Sequence, residues 1–98
     1  MIDDIEIAGI SEALKEKMIE KLGYDTVLNM ACNYERVKDN IHLLQSIGIT
    51  DIEQLLLNKN YIFLKKPDDI LKKLSNFNIS NLVSLINEDY NVIDEVFI

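Results

Sequence analysis

The chain has 98 residues, 48% hydrophobic and 28% charged, which fits one domain over residues 1–98 with one core and excludes a second independent domain. Seventeen acidic against ten basic side chains give a formal net charge of −7, which opposes unspecific attraction to nucleic acid or anionic lipid and favours a basic or neutral partner. One cysteine, Cys32, and one histidine, His42, exclude an internal disulfide and a structural zinc set. With no basic-then-apolar leader and no long apolar run, a cytoplasmic protein without a membrane span is expected.

Proline and glycine are scarce, so the punctuation predicts helices joined by tight turns. Near the start, Ile5-Glu6-Ile7 has a strand-like alternation too short for a sheet. A helix is predicted from Ser11 as N-cap, with Glu12 in the positive first turn, Leu14, Met18 and Leu22 on one stripe, and a stop at Gly23. Asp25 caps a short segment through Val27. Tyr34, Val37, Ile41, Leu44 and Ile47 recur at spacings of three and four and form the apolar face of a longer helix that stops at Gly48. Thr50 and Glu53 form a capping box that opens a short helix through Leu55, Leu56 and Leu57. Tyr61-Ile62-Phe63-Leu64 is the second short strand-like run. Pro67, Asp68 and Asp69 open a helix bearing Ile70, Leu71, Leu74 and Phe77, and Ser80 caps one bearing Leu82, Leu85 and Ile86. The core expected from these stripes comprises Leu14, Met18, Leu22, Val27, Val37, Ile41, Leu44, Ile47, Ile52, Leu55, Leu56, Leu71, Leu74, Leu82 and Leu85.

The apolar set Ile41, Leu44, Ile47, Ile49, Ile52 returns thirty residues later as Leu71, Leu74, Phe77, Ile79, Leu82. Gly48 falls on Asn78, both types that tolerate a left-handed helix stop, and Thr50 falls on Ser80. With one residue deleted, Leu56, Leu57, Asn58, Tyr61, Phe63 and Leu64 align with Leu85, Ile86, Asn87, Tyr90, Val92 and Ile93. A shorter copy begins at Leu22-Gly23. The expected fold is therefore all-α, a short array of stacked helical hairpins with about three degenerate repeats of roughly 25–30 residues. The stretch Asn40-Ile41-His42-Leu43-Leu44-Gln45-Ser46-Ile47-Gly48-Ile49-Thr50-Asp51-Ile52-Glu53-Gln54-Leu55-Leu56 resembles the helical repeat of the mitochondrial transcription termination factor (mTERF) family. The resemblance spans about residues 18–93 and implies a helical stack. Members of that family bind nucleic acid, but none of their binding residues maps onto a position of this chain.

Few residues offer chemistry. His42 has Asp39 at i−3 and Ser46 at i+4, yet a Ser-His-Asp set on one helix turn brings no oxyanion site with it. Cys32, in Met30-Ala31-Cys32, reads as a small buried hydrophobe. The pairs Asp3-Asp4, Asp68-Asp69, Glu88-Asp89 and Asp94-Glu95 lack calcium-loop spacing. No catalytic residue, cofactor or metal site is therefore expected, and the chain reads as a non-enzymatic, acidic protein-interaction module of adaptor or inhibitor type. Its partner surface falls on the apolar tail Val96, Phe97 and Ile98, and Val92 and Ile93 continue the same helical face. Self-capping of the stack by this tail is favoured over dimerisation. Nucleic-acid binding is the alternative. It would use the lysine-rich segment 59–73, with Lys59 as one contact, Lys65-Lys66 and Lys72-Lys73 flanking one groove, and Tyr61 with Phe63 near enough to stack on a base. The net charge and the absence of arginine there oppose it.

Overall fold

The computed structural model describes residues 10–97, and within them the chain is all-α, with no strand among the described residues. Seven helices follow in order: α1 (Glu12–Leu22), α2 (Tyr24–Cys32), α3 (Tyr34–Ser46), α4 (Ile52–Asn58), α5 (Pro67–Leu74), α6 (Ile79–Glu88) and α7 (Asp94–Phe97). Two 3₁₀ turns, Asn60–Leu64 and Tyr90–Ile93, follow α4 and α6. The strand-like run at Tyr61 is thus the first of these turns. The other, Ile5-Glu6-Ile7, lies outside the described residues, as do Asp3-Asp4 and Ile98.

Local chemistry accounts for most boundaries. The Ser11 hydroxyl accepts the Leu14 amide at 3.1 Å and starts α1, satisfying one of the amides a helix start leaves open. Gly23, at φ +93°, ends α1 and carries the chain directly into α2. Helix α3 closes in a Schellman motif: the Gly48 amide donates to Gln45 O and the Ile49 amide to Leu44 O, each at 3.1 Å. Gly48 takes φ +108°, and buried Ile49 and Leu44 supply the hydrophobic contact of that motif. Pro67 occupies the first turn of α5, with Asp68 and Asp69 at its positive end and Lys72 and Lys73 at its negative end.

Three expected caps move. Asp51, not Thr50, caps α4 by accepting the Gln54 amide at 3.2 Å, because the Thr50 amide and hydroxyl are both engaged by Asn87 Oδ1 at 3.0 and 3.3 Å. Asn87 Nδ2 in turn donates to Gly48 O at 3.1 Å, so one amide from α6 clamps the joint between α3 and α4. Asn78, not Ser80, caps α6 through the Asn81 amide at 3.1 Å. Asn78 has φ −73° and is no left-handed stop. Gly23, not Asp25, is the N-cap of α2, and Asp25 sits in its first turn.

A continuous core runs through the described residues, from Met18, Val27 and Met30 through Val37, Ile41, Leu44, Leu55 and Leu56 to Ile62, Phe63, Ile70, Leu74, Ile86 and Ile93. Leu71 and Leu85, expected inside, are 48% and 51% exposed. Their places are taken by Ile70 on α5 and by Val83 and Ile86 on α6, so each buried stripe is turned by about one residue, or ~100°. Cys32 is exposed, not buried. Helix–gap–3₁₀ units recur at Ile52–Leu64 and Ile79–Ile93. Their helix ends, Asn58 and Glu88, and their buried pairs Ile52/Leu82, Leu56/Ile86 and Phe63/Ile93 stand thirty residues apart, with no residue deleted between them.

Candidate binding grooves around the last helix

The first 3₁₀ turn is fixed to α3 by Asn40, a fully buried side chain whose Nδ2 donates to Phe63 O at 2.9 Å and to Lys65 O at 2.7 Å. Arg36 adds a bond to Leu64 O at 3.2 Å. The same turn is joined to α7 by Asp94, which accepts from Lys59 Nζ and from Tyr61 Oη, each at 2.5 Å. These bonds hold the Asp94 carboxyl below its ordinary value, the Lys59 bond contributing most and Tyr61 next. Burial, followed by the bond to Asp94, pushes the Tyr61 hydroxyl well above the usual phenol value. Lys65 lies over the rings of both Tyr61 and Phe97, 5.9 and 6.0 Å from their centroids, at the outer reach of a cation–π contact.

This framework decides which candidates converge. Lys65, Lys72, Lys73, Asp69 and Asn76 line one groove of about 400 Å³ against Phe97. Asp69, Lys72, Lys73 and Asn76 follow the i, i+3, i+4, i+7 pattern of one helix face. Lys59 is committed to Asp94. Lys66 lines a different open groove with Cys32, Arg36, Asp39 and Pro67. Phe63 is fully buried and has no face for a base, and the Tyr61 hydroxyl is bonded to Asp94. The seven-residue nucleic-acid platform is therefore reduced to three lysines. Val96 is 5% exposed and belongs to the core rather than to a partner surface, whereas Phe97 is half-buried. Within the tail, Ile93 and Val96 are thus buried in the chain's own core, and Ile98 lies outside the described residues.

A second groove, of about 160 Å³, lies between the α5–α6 turn, α6 and the tail, lined by Phe77, Asn78, Asn81, Leu82, Leu85, Val92 and Glu95. Phe77 is 41% exposed. Sequence reasoning assigned Leu85 to the core and missed this surface. The signal was a surplus: Ile79, Leu82, Val83, Leu85 and Ile86 give α6 more apolar residues than one buried stripe of ten residues holds. His42 is exposed, and the Ser46 hydroxyl donates to Leu43 O at 2.6 Å, so no nucleophile–base pair is assembled there. Among the described residues no cluster of three metal-ligating side chains exists, and no helix is long and apolar enough to cross a membrane. No protein-family model, curated protein or solved structure matches this chain; the resemblance to the mTERF repeat rests on its sequence pattern alone.

Proposed function

We propose that the chain is a protein-interaction module that acts by docking another macromolecule, with the Phe77–Leu85–Val92 groove as its docking face. The observation that carries this reading is the exposure of Phe77 and Leu85 side by side along one apolar groove. Large apolar side chains scattered singly over a surface need no explanation, but a concave row of them marks a contact site. A second reading, nucleic-acid binding through Lys65, Lys72 and Lys73, draws on their convergence in one groove. It has no arginine beside the three lysines, the aromatic ring in their groove, Phe97, is half-buried with Lys65 lying over it, and the net charge of −7 opposes polyanions.

A photo-activatable phenylalanine analogue placed at Leu85, and at exposed Glu20 as control, distinguishes the two in the source cell. A discrete protein adduct at position 85 and none at position 20 is expected. Adducts to nucleic acid, or equal labelling at both positions, overturn the reading.

A further inference from the structure

The two grooves are neighbours. Asn76 lines the lysine groove and the next residue, Phe77, lines the apolar one. On α7, Phe97 faces the first and Glu95 the second, as expected for positions two apart, which point about 200° apart around a helix. The grooves therefore flank a single helix about 10 Å wide, a span matched by the ~10–12 Å diameter of a partner helix laid along it.

Their chemistry differs along that span. Lys65, Lys72 and Lys73 bring three ammonium groups against the single carboxylate of Asp69, and among the described residues none of the three stands in an ion pair. This is a local excess of positive charge on a molecule of net charge −7. The apolar groove has Glu95 at its edge. On this basis, and resting on the docking reading above, we propose that the occupant is an amphipathic helical segment of another protein. Its apolar stripe sits against Phe77, Leu85 and Val92, and its acidic flank lies over Lys65, Lys72 and Lys73. Glu95 repels an acid at the opposite edge and so fixes the direction in which the segment lies. A nucleic-acid backbone fits less well, because its charge repeats along its whole length and would run past the lysines onto Glu95 on a molecule of net charge −7. An acidic peptide needs negative charge only where the lysines are, and its apolar stripe uses the second groove as anchors at i, i+3 and i+4.

The test is an amide-resolved NMR titration of the full chain with two synthetic amphipathic helices of about 14 residues, or ~21 Å. They share one leucine stripe and differ in carrying either glutamate or lysine on one flank. A dT oligonucleotide is the third probe, and sedimentation of the unliganded chain accompanies the series. The glutamate helix is expected to shift the amides of Phe77, Leu85 and Val92 together with those of Lys65, Lys72 and Lys73, and to bind about tenfold more tightly than the lysine helix at low salt. The double variant Lys72→Glu/Lys73→Glu should reverse that preference, and 0.5 M salt, where charges are screened within a few ångströms, should narrow it. Leu85→Asp, at an exposed position, should abolish binding of both helices and leave the thermal midpoint unchanged. Equal affinity for the two helices, with shifts confined to Phe77, Leu85 and Val92, overturns the acidic partner and leaves the docking face intact. Absence of shifts at those three residues overturns both. Shifts with the oligonucleotide at the lysines, and none with either peptide, overturn the proposal in favour of nucleic acid. Self-association that Leu85→Asp abolishes identifies a second copy as the occupant instead.

Discussion

Asn40 is fully buried, and its Nδ2 donates to two backbone carbonyls, those of Phe63 and Lys65. Its own Oδ1 has no partner among the described residues. The amide must keep this orientation, because turning it over would set an acceptor against two acceptors. Asn40→Ala leaves one buried and one part-buried bond unmade and should cost about 2–4 kcal/mol by urea unfolding. Asn40→Asp should cost more at neutral pH, since a carboxylate then faces both oxygens. A loss below about 1 kcal/mol for the alanine variant would mean that water replaces the amide. The effect reaches the lysine groove, because the backbone Asn40 holds is the one that carries Lys65. Asp94 is the second such residue. Its carboxyl is depressed in the folded chain, so its bonds stabilise fully above the ordinary carboxylate value near 4, and that stability is lost as the pH falls through the lower folded value. Tyr61 works in the opposite sense. Its raised value gives stability that is present below the ordinary phenol value near 10 and lost as the pH rises from there toward the folded value. Asp94→Asn should therefore lose about 1–2 kcal/mol at pH 7, with the difference from the parent shrinking below about pH 4. Tyr61→Phe should flatten the alkaline limb of the parent's stability curve above about pH 10. A pH-independent deficit in Asp94→Asn would show that packing, not charge, is lost there.

At the scale of elements, the joints at Gly23 and Gly48 make a controlled pair. Both have φ values that L side chains rarely adopt, +93° and +108°, but a Cβ at Gly23 meets nothing within 4 Å, whereas one at Gly48 meets Val83 Cγ1 at 3.3 Å. Each alanine substitution should cost about 1–3 kcal/mol from backbone strain. Only Gly48→Ala should couple to Val83→Ala, by about 0.5–1 kcal/mol in a double-mutant cycle. No coupling, or equal coupling for Gly23, would refute the close approach of α6 to this joint. The contrast also explains what could be read in advance. Gly23, Gly48, Ser11 and Pro67 announce their helix ends because each acts on its own backbone within a few residues. Thr50 and Asp51 are both good caps in adjacent positions, and the choice between them is made by Asn87, 37 residues away. Ile70 and Leu71 are likewise adjacent and equally apolar. A 3.6-residue period admits either to the buried stripe, and only the direction of the neighbouring helices selects Ile70. The lysine groove was legible in part, as a stripe of charges on α5. The apolar groove was not, because an exposed and a buried leucine are the same letter until packing assigns them.

Over the whole molecule, the described chain measures 42 × 25 × 22 Å with a radius of gyration of 13.2 Å, near the value of about 13 Å for a compact chain of this length. Ion pairing between Lys17 and Glu53 at 3.0 Å ties α1 to α4, joined by a bond from Lys21 to Asn58. At the other end of the chain, α7 packs on α5 and on the second 3₁₀ turn. There Ile93 is fully buried and Val96 nearly so. Removing residues 92–98 would withdraw both side chains and the acceptor shared by Lys59 and Tyr61. It would also uncover the α5 face on which α7 packs. Two buried aliphatic side chains contribute at most about 3–6 kcal/mol by area, set against a total of about 5–15 kcal/mol for a domain, so the truncated chain should melt far below the parent or not fold at all. Because complete unfolding would say little about the tail itself, Ile93→Ala and Val96→Ala provide the graded form, expected at about 2–5 and 1–3 kcal/mol respectively. Sedimentation should find the parent and both variants monomeric, since the chain covers this end with its own tail. A parent that sediments as a dimer and becomes monomeric on truncation, with the melting temperature of the monomer unchanged, would instead make the tail an interface between copies and leave α5 without the intramolecular cap described here.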